Sequence, residues 1–227
     1  MISYRSTKYF VDLLRKQWFL LLEVGMFIVT LLSGITFLAI LITMHFLKTE
    51  FDPSWRMISE YEIGKYGWIM RVAFLIWSVC LGSFSINLMN AKLDSNYLII
   101  IWYSVISIAL IGAGIFKTDP ITNSTNSFTN VMHKVCGSIM ILTYPIVGTI
   151  FTITYAGKFE MLNKLLVISL TILLWIGQFW FFGATFTAKK KNPNVKQGSP
   201  DVKIGWPNRI MVLFYVIWIL IVSVVIN

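Results

Sequence analysis

Six long apolar blocks occupy most of this 227-residue chain, and they limit its possible folds more than any other feature. A bilayer core about 30 Å thick needs ~20 apolar residues per helical span, and each block is near or above that length. The runs are continuous rather than alternating, which favours helices over the strands of a membrane barrel. The predicted spans are residues 19–47, 68–89, 97–116, 131–155, 162–186 and 210–226. We therefore expect an all-α integral membrane bundle of six helices, forming one domain over residues 1–227.

Composition and charge agree with a membrane protein. Charged residues make up 13% of the chain, against about 25% in soluble domains. The net charge of +9 comes from basic residues at span ends and in loops, where they meet anionic lipid head groups. We expect membrane lipids as partners and no nucleic acid, and the sequence identifies no protein partner. Cys80 and Cys136 lie inside predicted spans and lack the C-x-x-C spacing of metal or redox sites.

The first loop carries signals for a short helix of its own. Asp52-Pro53 is typical of a helix start, with Asp as the N-cap and Pro at the first helical position. Gly64 is a suitable stop, and apolar residues recur between them at three-residue steps. These features predict a short interfacial helix over residues 53–63.

Three groups of residues resemble a known family of prokaryotic multi-pass membrane proteins, catalogued as domain of unknown function 998. The matching motifs are Phe51-Asp52-Pro53 with Gly67-Trp68, Gly114 to Pro120 with His133, and Pro207-Asn208-Arg209-Ile210. A more distant analogy connects the chain with eukaryotic six-span proteins of the Frag1/DRAM/Sfk1 type, which are linked to lipid and autophagy biology. The resemblance implies six spans in the cell (inner) membrane, a cytoplasmic N-terminus, and loops one and three outside. It implies no established reaction.

The basic residues point to the opposite orientation when they are counted alone. Loops one, three and five together carry more Lys and Arg than the N-terminus and loops two and four. The positive-inside rule would then place the N-terminus outside. Arg15 and Lys16 flank the first span, which usually dominates orientation, and the resemblance also favours a cytoplasmic N-terminus. We therefore predict a cytoplasmic N-terminus.

Polar residues in loops one and three and at the sixth span form the candidate site. The candidate ligand-binding residues are Ser59, Glu60, Asp119, His133 and Arg209. Since two spans separate loops one and three, both lie on the same membrane side. A carboxylate beside an imidazole can orient a base or hold a metal, and Arg209 can pair with a carboxylate or clamp a phosphate. The same residues also fit a structural role, because polar groups in a site with little water need partners.

Three functions remain open from the sequence. The first is a non-enzymatic membrane protein that binds or senses a lipid or small molecule at this polar site. The second is an enzyme acting on a lipid head group, with Glu60, Asp119 and His133 as catalytic candidates. The third is a haem-binding redox protein, with His45 and His133 as axial ligands. We favour the first and predict no cofactor and no metal; two histidines are too few for a three-histidine zinc lipid hydrolase.

Overall fold

The computed structural model describes residues 4–91, 93, 96–122, 127–195 and 198–227; within the first helix, the side chains of residues 4–16, 19, 20 and 23 lie outside this description. The helices are α1 (Tyr4–Leu47), α2 (Gly67–Asn90), α3 (Tyr97–Ile115), α4 (Phe128–Tyr155), α5 (Met161–Lys191) and α6 (Gly205–Ile226). Each contains a segment long and apolar enough to cross a membrane. The prediction of an all-α bundle of six membrane helices is confirmed.

The six helices surround a closed aromatic core. Consecutive helices pack side by side, α6 returns to α1, and α2 also reaches α6. Trp218 of α6 is fully buried, and its ring lies near those of Phe84 in α2, Tyr103 in α3 and Phe151 in α4. Large side chains thus fill the centre of the bundle, and the candidate polar residues lie at one end of it.

Several helices extend beyond the predicted spans, and the longest extensions are at the start of α1, the end of α5 and the start of α6. The helix α5 continues to Lys191, past the predicted end at residue 186, and α6 begins at Gly205, before the predicted start at residue 210. At 1.5 Å per residue, the 31 residues of α5 rise roughly 46 Å, which exceeds a hydrocarbon core of about 30 Å. The helix α5 is therefore longer than one crossing requires, and its basic last turn lies at the same end of the bundle as loops one and three.

The short helix in the first loop is present but smaller than predicted. It is a 3₁₀ helix over Ile58–Glu62, whereas residues 53–63 were predicted. Asp52 does not cap it; its Oδ1 accepts a hydrogen bond of 2.8 Å from the backbone N–H of Ser54 and closes a local turn. Gly64 lies just after the helix with φ +72°, a left-handed conformation suited to glycine. Ile58 and Tyr61 are buried against protein.

Candidate functional site

Loops one, three and five meet at one end of the bundle and form a lid over it. We call the described parts of residues 48–66, 116–127 and 192–204 the cap. The backbone N–H of Gly205 donates to the carbonyl of Ser54 at 3.2 Å, and the Nζ of Lys203 donates to the Ser54 hydroxyl at 3.4 Å. A Cβ at Gly198 would collide with the backbone of Ile121, so loops three and five touch through a glycine. The cap is therefore held together by backbone contacts between distant parts of the chain.

Arg209, at the start of α6, is the centre of a buried polar cluster and is only 4% exposed. Its Nε donates to Nε2 of His45 at 2.8 Å, and its Nη2 donates to the Tyr61 hydroxyl at 2.7 Å. Its Nη1 donates to the carbonyls of Arg56 at 2.6 Å and Gly205 at 2.9 Å. We call Arg209, His45 and Tyr61 the arginine cluster. It joins α1, loop one and α6, and its guanidinium is occupied by protein acceptors.

These contacts argue against the ligand-binding role considered for Arg209 and the haem-ligand role considered for His45. Arg209 forms no ion pair with any carboxylate among the described residues, and it does not line the cavity described below. His45 uses both ring nitrogens, since its Nδ1 lies 2.8 Å from the Leu41 carbonyl and its Nε2 accepts from Arg209. His45 therefore offers no free nitrogen to a haem iron in this arrangement.

Glu60 lies in the 3₁₀ helix and connects loop one to loop three. It is 1% exposed, and its Oε1 accepts from the backbone N–H of Ile121 at 2.8 Å. Its Oε2 accepts from the N–H of Met57 at 3.3 Å and lies 3.0 Å from Nε of Arg56. Burial raises the pKa of this carboxyl, while the N–H donors and the Arg56 charge oppose the change. Both oxygens of Glu60 thus already have protein partners.

Asp119 and Asn130 order loop three. The Asp119 carboxylate accepts from the backbone N–H of Ser127 at 2.9 Å and from its hydroxyl at 3.1 Å. Oδ1 of Asn130 accepts from the backbone N–H of Asp119 at 3.1 Å and from the Thr118 hydroxyl at 3.2 Å. Ser127 in turn caps α4, because its Oγ accepts from the N–H of Asn130. These bonds hold the two ends of loop three together.

His133 of α4 faces the end of α3. Its Nδ1 lies 2.9 Å from the Phe116 carbonyl and 3.1 Å from the Ala113 carbonyl, and its ring meets Phe74 edge-on. A carbonyl can only accept, so Nδ1 must carry the proton. In the neutral ring Nε2 is then an acceptor. The residue is 6% exposed, and Nε2 has no hydrogen-bond partner in the part of the chain that the structure describes.

Glu62 was not among the residues predicted for the site. Its side chain has no exposed surface, its Oε2 accepts from the N–H of Thr118 at 3.1 Å, and its Oε1 has no partner among the described residues. Oε2 lies 3.7 Å from Nδ1 of His133, which is beyond hydrogen-bond length. Burial raises the pKa of Glu62 to about 8, although the Thr118 N–H and the charges of Arg71 and Lys117 oppose it. We call Glu62 and His133 the open cluster, since each has a polar atom without a partner among the residues that the structure describes.

Sequence reasoning missed Glu62 because loop one contains several charges that suggest a solvated surface. Glu60 and Glu62 are two positions apart, and in a 3₁₀ helix of three residues per turn they point in different directions. Glu60 therefore reaches Ile121, and Glu62 reaches Thr118. Any helix over residues 53–63 would separate the two acids in this way, but the sequence does not show that the N–H of Thr118 lies where Glu62 points.

A cavity of about 400 Å³ lies between the cap, α4 and α5. Its polar lining, near the cap, comes from Glu60, Thr118, Asp119, Asn130, His133 and Lys134. Its apolar lining comes from Ile141, Leu142, Phe181 and Phe182. Ile141 is eight residues after His133, or roughly 12 Å along the helix, so the lining changes from polar to apolar with depth. Of the predicted site residues the cavity brings together Glu60, Asp119 and His133, whereas Ser59 and Arg209 do not line it.

The cavity continues onto the outer surface of α4. An open groove of about 490 Å³ follows this helix, with a mainly apolar lining. Lys134, Ser138 and Leu142 line both the groove and the cavity. A ligand can therefore extend from the polar end of the cavity to the membrane-facing surface. Among the described residues, no three His, Cys, Asp or Glu side chains lie close enough to hold a metal ion.

Comparison with known proteins gives a family but no activity. The family model described as "Protein of unknown function (DUF998)" matches residues 31–225, which include the cap, both polar clusters and the cavity. No curated protein and no solved structure matches the chain significantly. This match and the six membrane-type helices agree, and the chain is a multi-pass membrane protein that belongs to the DUF998 family.

Proposed function

We propose that this protein binds a membrane lipid, without a catalytic step, in the cavity beneath the cap. The head group lies among the polar residues near His133, and the acyl chain follows α4 past Leu142 toward the bilayer. The observation that carries the proposal is the change from polar to apolar lining within one cavity that continues onto the membrane-facing surface of α4. A volume of about 400 Å³ is within the range of ordinary ligand sites.

The exposure of the apolar residues supports a lipid as the occupant. Leu142 of α4 is 50% exposed and Phe182 of α5 is 42% exposed, so the deep end of the cavity is accessible from the side of the bundle. In a membrane this side is occupied by acyl chains, and a ligand can enter from the bilayer without crossing the cap. A water-soluble ligand would instead have to pass the cap, which is held by the loop contacts described above.

The engaged carboxylates favour binding over an enzyme that acts on a lipid head group. Glu60 and Asp119 each have both carboxylate oxygens occupied by protein donors. A general base must be within hydrogen-bond reach of the proton that it removes, and these two carboxylates already serve to order loops. His133 also lacks a carboxylate within hydrogen-bond distance of Nδ1, since Glu62 lies 3.7 Å away.

A pair of glycine substitutions tests the proposal. Gly137 lines the cavity, and a Cβ there meets nothing within 4 Å among the described residues, so a leucine at this position starts in open space and fills part of the cavity. Gly183→Leu is the matched control, because a Cβ at Gly183 also meets nothing within 4 Å, and this residue does not line the cavity. Both changes replace a helical glycine, which favours the helix by about 0.5–1 kcal/mol.

Native mass spectrometry of the protein, purified in mild detergent and mixed with dioleoyl lipids, gives the measurement. We expect Gly137→Leu to reduce the lipid-bound fraction at least tenfold while its melting temperature stays equal or rises. Gly183→Leu should bind lipid like the wild type. Wild-type levels of bound lipid in a folded Gly137→Leu variant would refute the proposed site.

We further propose that the protein lies in the cell (inner) membrane with a cytoplasmic N-terminus and the cap outside. The family resemblance and the basic flank of the first span support this orientation. Single cysteines at Ser6 and Lys190, in a variant with Cys80 and Cys136 replaced, decide it through labelling of intact cells with a membrane-impermeant reagent. Labelling at 190 and not at 6 is expected, and the reverse pattern would invert the topology.

A further inference from the structure

We infer that the head group bound in this cavity carries hydroxyl groups, as in a sugar or polyol lipid, and that one of them donates a hydrogen bond to Nε2 of His133. This inference rests on the proposed lipid site and adds the chemical class of the head group. It is carried by a largely buried histidine on the cavity wall, whose tautomer is fixed and whose Nε2 has no partner among the described residues.

The tautomer of His133 is fixed by the end of α3. Nδ1 lies within 3.1 Å of two carbonyl oxygens, those of Ala113 and Phe116, and both can only accept. Any neutral state of the ring therefore places the proton on Nδ1 and leaves Nε2 as an acceptor. An acceptor on a largely buried side chain, without a partner in the part of the chain that the structure describes, needs a donor from a ligand or from water.

The surroundings of His133 support the neutral ring. Glu62 is the acidic group near Nδ1, at 3.7 Å, and burial raises its pKa to about 8. At pH 7 this carboxyl is mostly protonated and provides no full negative charge that would favour an imidazolium. The side chain of Lys134, the next residue, is cationic and lines the same cavity. Nε2 is therefore available to accept rather than to donate.

A head group that ends in a bare phosphate fits this cavity poorly. Phosphate binding commonly uses several N–H donors, and arginine provides them in a fixed fork. Arg209 donates to protein acceptors throughout the arginine cluster, and Arg56 lies 3.0 Å from Glu60. Neither arginine is among the described residues that line the cavity, so a phosphate there would meet Lys134 but no guanidinium group.

An ammonium head group is also disfavoured. It would need carboxylate oxygens, but those of Glu60 and Asp119 already accept bonds from Ile121 and Ser127. A hydroxyl fits better, because it can donate to Nε2 of His133 and accept from a neighbouring donor without bringing a charge into the cavity.

Lipids with the same acyl chains and different head groups provide the test. The probes are dioleoylglycerol carrying a single glucose, its fully O-methylated glucose analogue, and the dioleoyl forms of phosphatidylglycerol, phosphatidylethanolamine and phosphatidic acid. O-methylation removes the hydroxyl donors and keeps the ring and its oxygens. Phosphatidylglycerol shows whether a polyol on a phosphodiester is accepted as well as an uncharged sugar. Affinities are measured by native mass spectrometry and by the rise in melting temperature.

His133→Asn is the variant that isolates the acceptor. The amide nitrogen of asparagine sits at about the reach of Nδ1, so it can still donate to the carbonyls of Ala113 and Phe116. Asparagine does not reach the position of Nε2. We expect the variant to melt close to the wild type and to bind glucosyl lipid about tenfold more weakly, as for the loss of one hydrogen bond. O-methylation should weaken wild-type binding by a similar factor and hardly affect His133→Asn.

The outcomes separate this inference from the proposed function. If no probe binds the wild type, or if Gly137→Leu binds lipid normally, the lipid site itself is refuted. If lipids bind at this site but O-methylation has no effect, the hydroxyl assignment is refuted and the lipid site survives. Stronger binding of phosphatidic acid or phosphatidylethanolamine than of the hydroxyl lipids would likewise refute the assignment. If His133→Asn does not fold, the hydroxyl assignment is still tested by comparing the affinities of the wild type for the methylated and unmethylated glucosyl lipids.

Discussion

The arginine cluster and the open cluster lie under the same cap and each contains a buried or half-buried histidine. They differ in how fully their polar atoms are paired. Arg209 donates to His45, Tyr61 and backbone carbonyls. In the open cluster, Oε1 of Glu62 and Nε2 of His133 have no partner among the described residues. The first cluster connects three elements, whereas the second adjoins a cavity.

This difference shows how to distinguish polar residues that stabilise from those that await a ligand. Leaving a buried donor or acceptor unpaired costs about 1–3 kcal/mol. Trp77, Asn87 and Tyr103 also keep such atoms away from the cavity, so an unpaired atom points to a ligand only where it adjoins a cavity, as at His133. A ligand that supplies the missing partner recovers this energy as binding. Mutation of the fully paired arginine cluster should therefore lower the free energy of unfolding. Mutation of the open cluster should instead change the pH dependence of stability or the affinity for a ligand.

The largest expected effect is at the centre of the arginine cluster. Arg209→Met removes the donor shared by His45, Tyr61 and the carbonyls of loop one and α6, and leaves these acceptors buried and unpaired. We expect a loss of about 3–5 kcal/mol in the free energy of unfolding, since several buried acceptors lose their donor at about 1–3 kcal/mol each. Thermal unfolding in detergent measures it, and added lipid should not restore it.

The exposed Lys203→Ala, in the same cap, is the control for Arg209→Met. It loses one long bond of 3.4 Å to Ser54 and should change stability by less than about 0.5 kcal/mol. If Arg209→Met were as mild as Lys203→Ala, the arginine cluster would not hold the cap, and the contrast between the two clusters would fail.

The second largest effect concerns the close packing of loop one against the start of α6 at Gly205. A Cβ at Gly205 would collide with the backbone of Pro53, Trp55 and Arg56, which cannot move aside as a flexible side chain could. Gly205→Ala should lower the free energy of unfolding by about 3 kcal/mol. Gly183→Ala is the matched control, since a Cβ there meets nothing within 4 Å, and it should be neutral or slightly stabilising. Equal melting temperatures for the two variants would show that loop one is not packed against α6.

The third prediction concerns the pH dependence that Glu62 gives to stability. Its pKa is about 8 in the folded protein against an ordinary value of 4.5. Below pH 4.5 the carboxyl is protonated in both states. As the pH rises to 8, the unfolded chain loses the proton while the folded chain keeps it, so stability falls, by at most about 1.4 kcal/mol per pH unit. Glu62→Gln should flatten this decline and gain about 1–2 kcal/mol over the wild type at pH 8.

Other carboxyls allow a control for Glu62. The pKa of Glu60 is also raised by burial, so a residual decline of the same sign should remain in Glu62→Gln. The pKa values of Glu50 and Asp52 are lowered, by a hydrogen bond from Lys48 and by the N–H of Ser54, so these groups titrate below the window. Glu50→Gln should keep the wild-type decline between pH 5 and 8. A Glu62→Gln variant with an unchanged decline would show that Glu62 ionises normally in the folded protein.

The sequence predicts the bundle well because a bilayer imposes a simple rule on length and polarity. Each apolar block must satisfy its own backbone within about 30 Å of hydrocarbon, and a helix does so without information about its neighbours. The pairing of loop residues has no such rule. Arg209 was considered as a partner for a carboxylate or a phosphate, but it bonds with His45 and Tyr61, because α1 and α6 are adjacent in the ring of helices.

The open cluster shows a second limit of sequence reasoning. His133 is recognisable as a lone histidine at the head of a span, and the structure finds it on the cavity wall with Glu60 and Asp119. Glu62 was not recognised, since its burial depends on the 3₁₀ turn and on the N–H of Thr118 in another loop. Long-range contacts of this kind leave no periodic signal in the residues themselves.

The smallest expected effect concerns Asp119, which lines the cavity but is bonded like a structural residue. Asp119→Asn keeps one carbonyl oxygen to accept from the N–H or the hydroxyl of Ser127, and it loses one of the two bonds. Because this part of loop three is partly solvated, the loss should be below about 1 kcal/mol in the free energy of unfolding. A double-mutant cycle with Ser127→Ala should give a coupling energy of about 0.5–1 kcal/mol, since the two side chains are in direct contact. Zero coupling, together with a loss of lipid affinity larger than the loss of stability, would show that Asp119 binds the ligand rather than ordering loop three. Asp119 would then belong with the open cluster, although both of its carboxylate oxygens are paired.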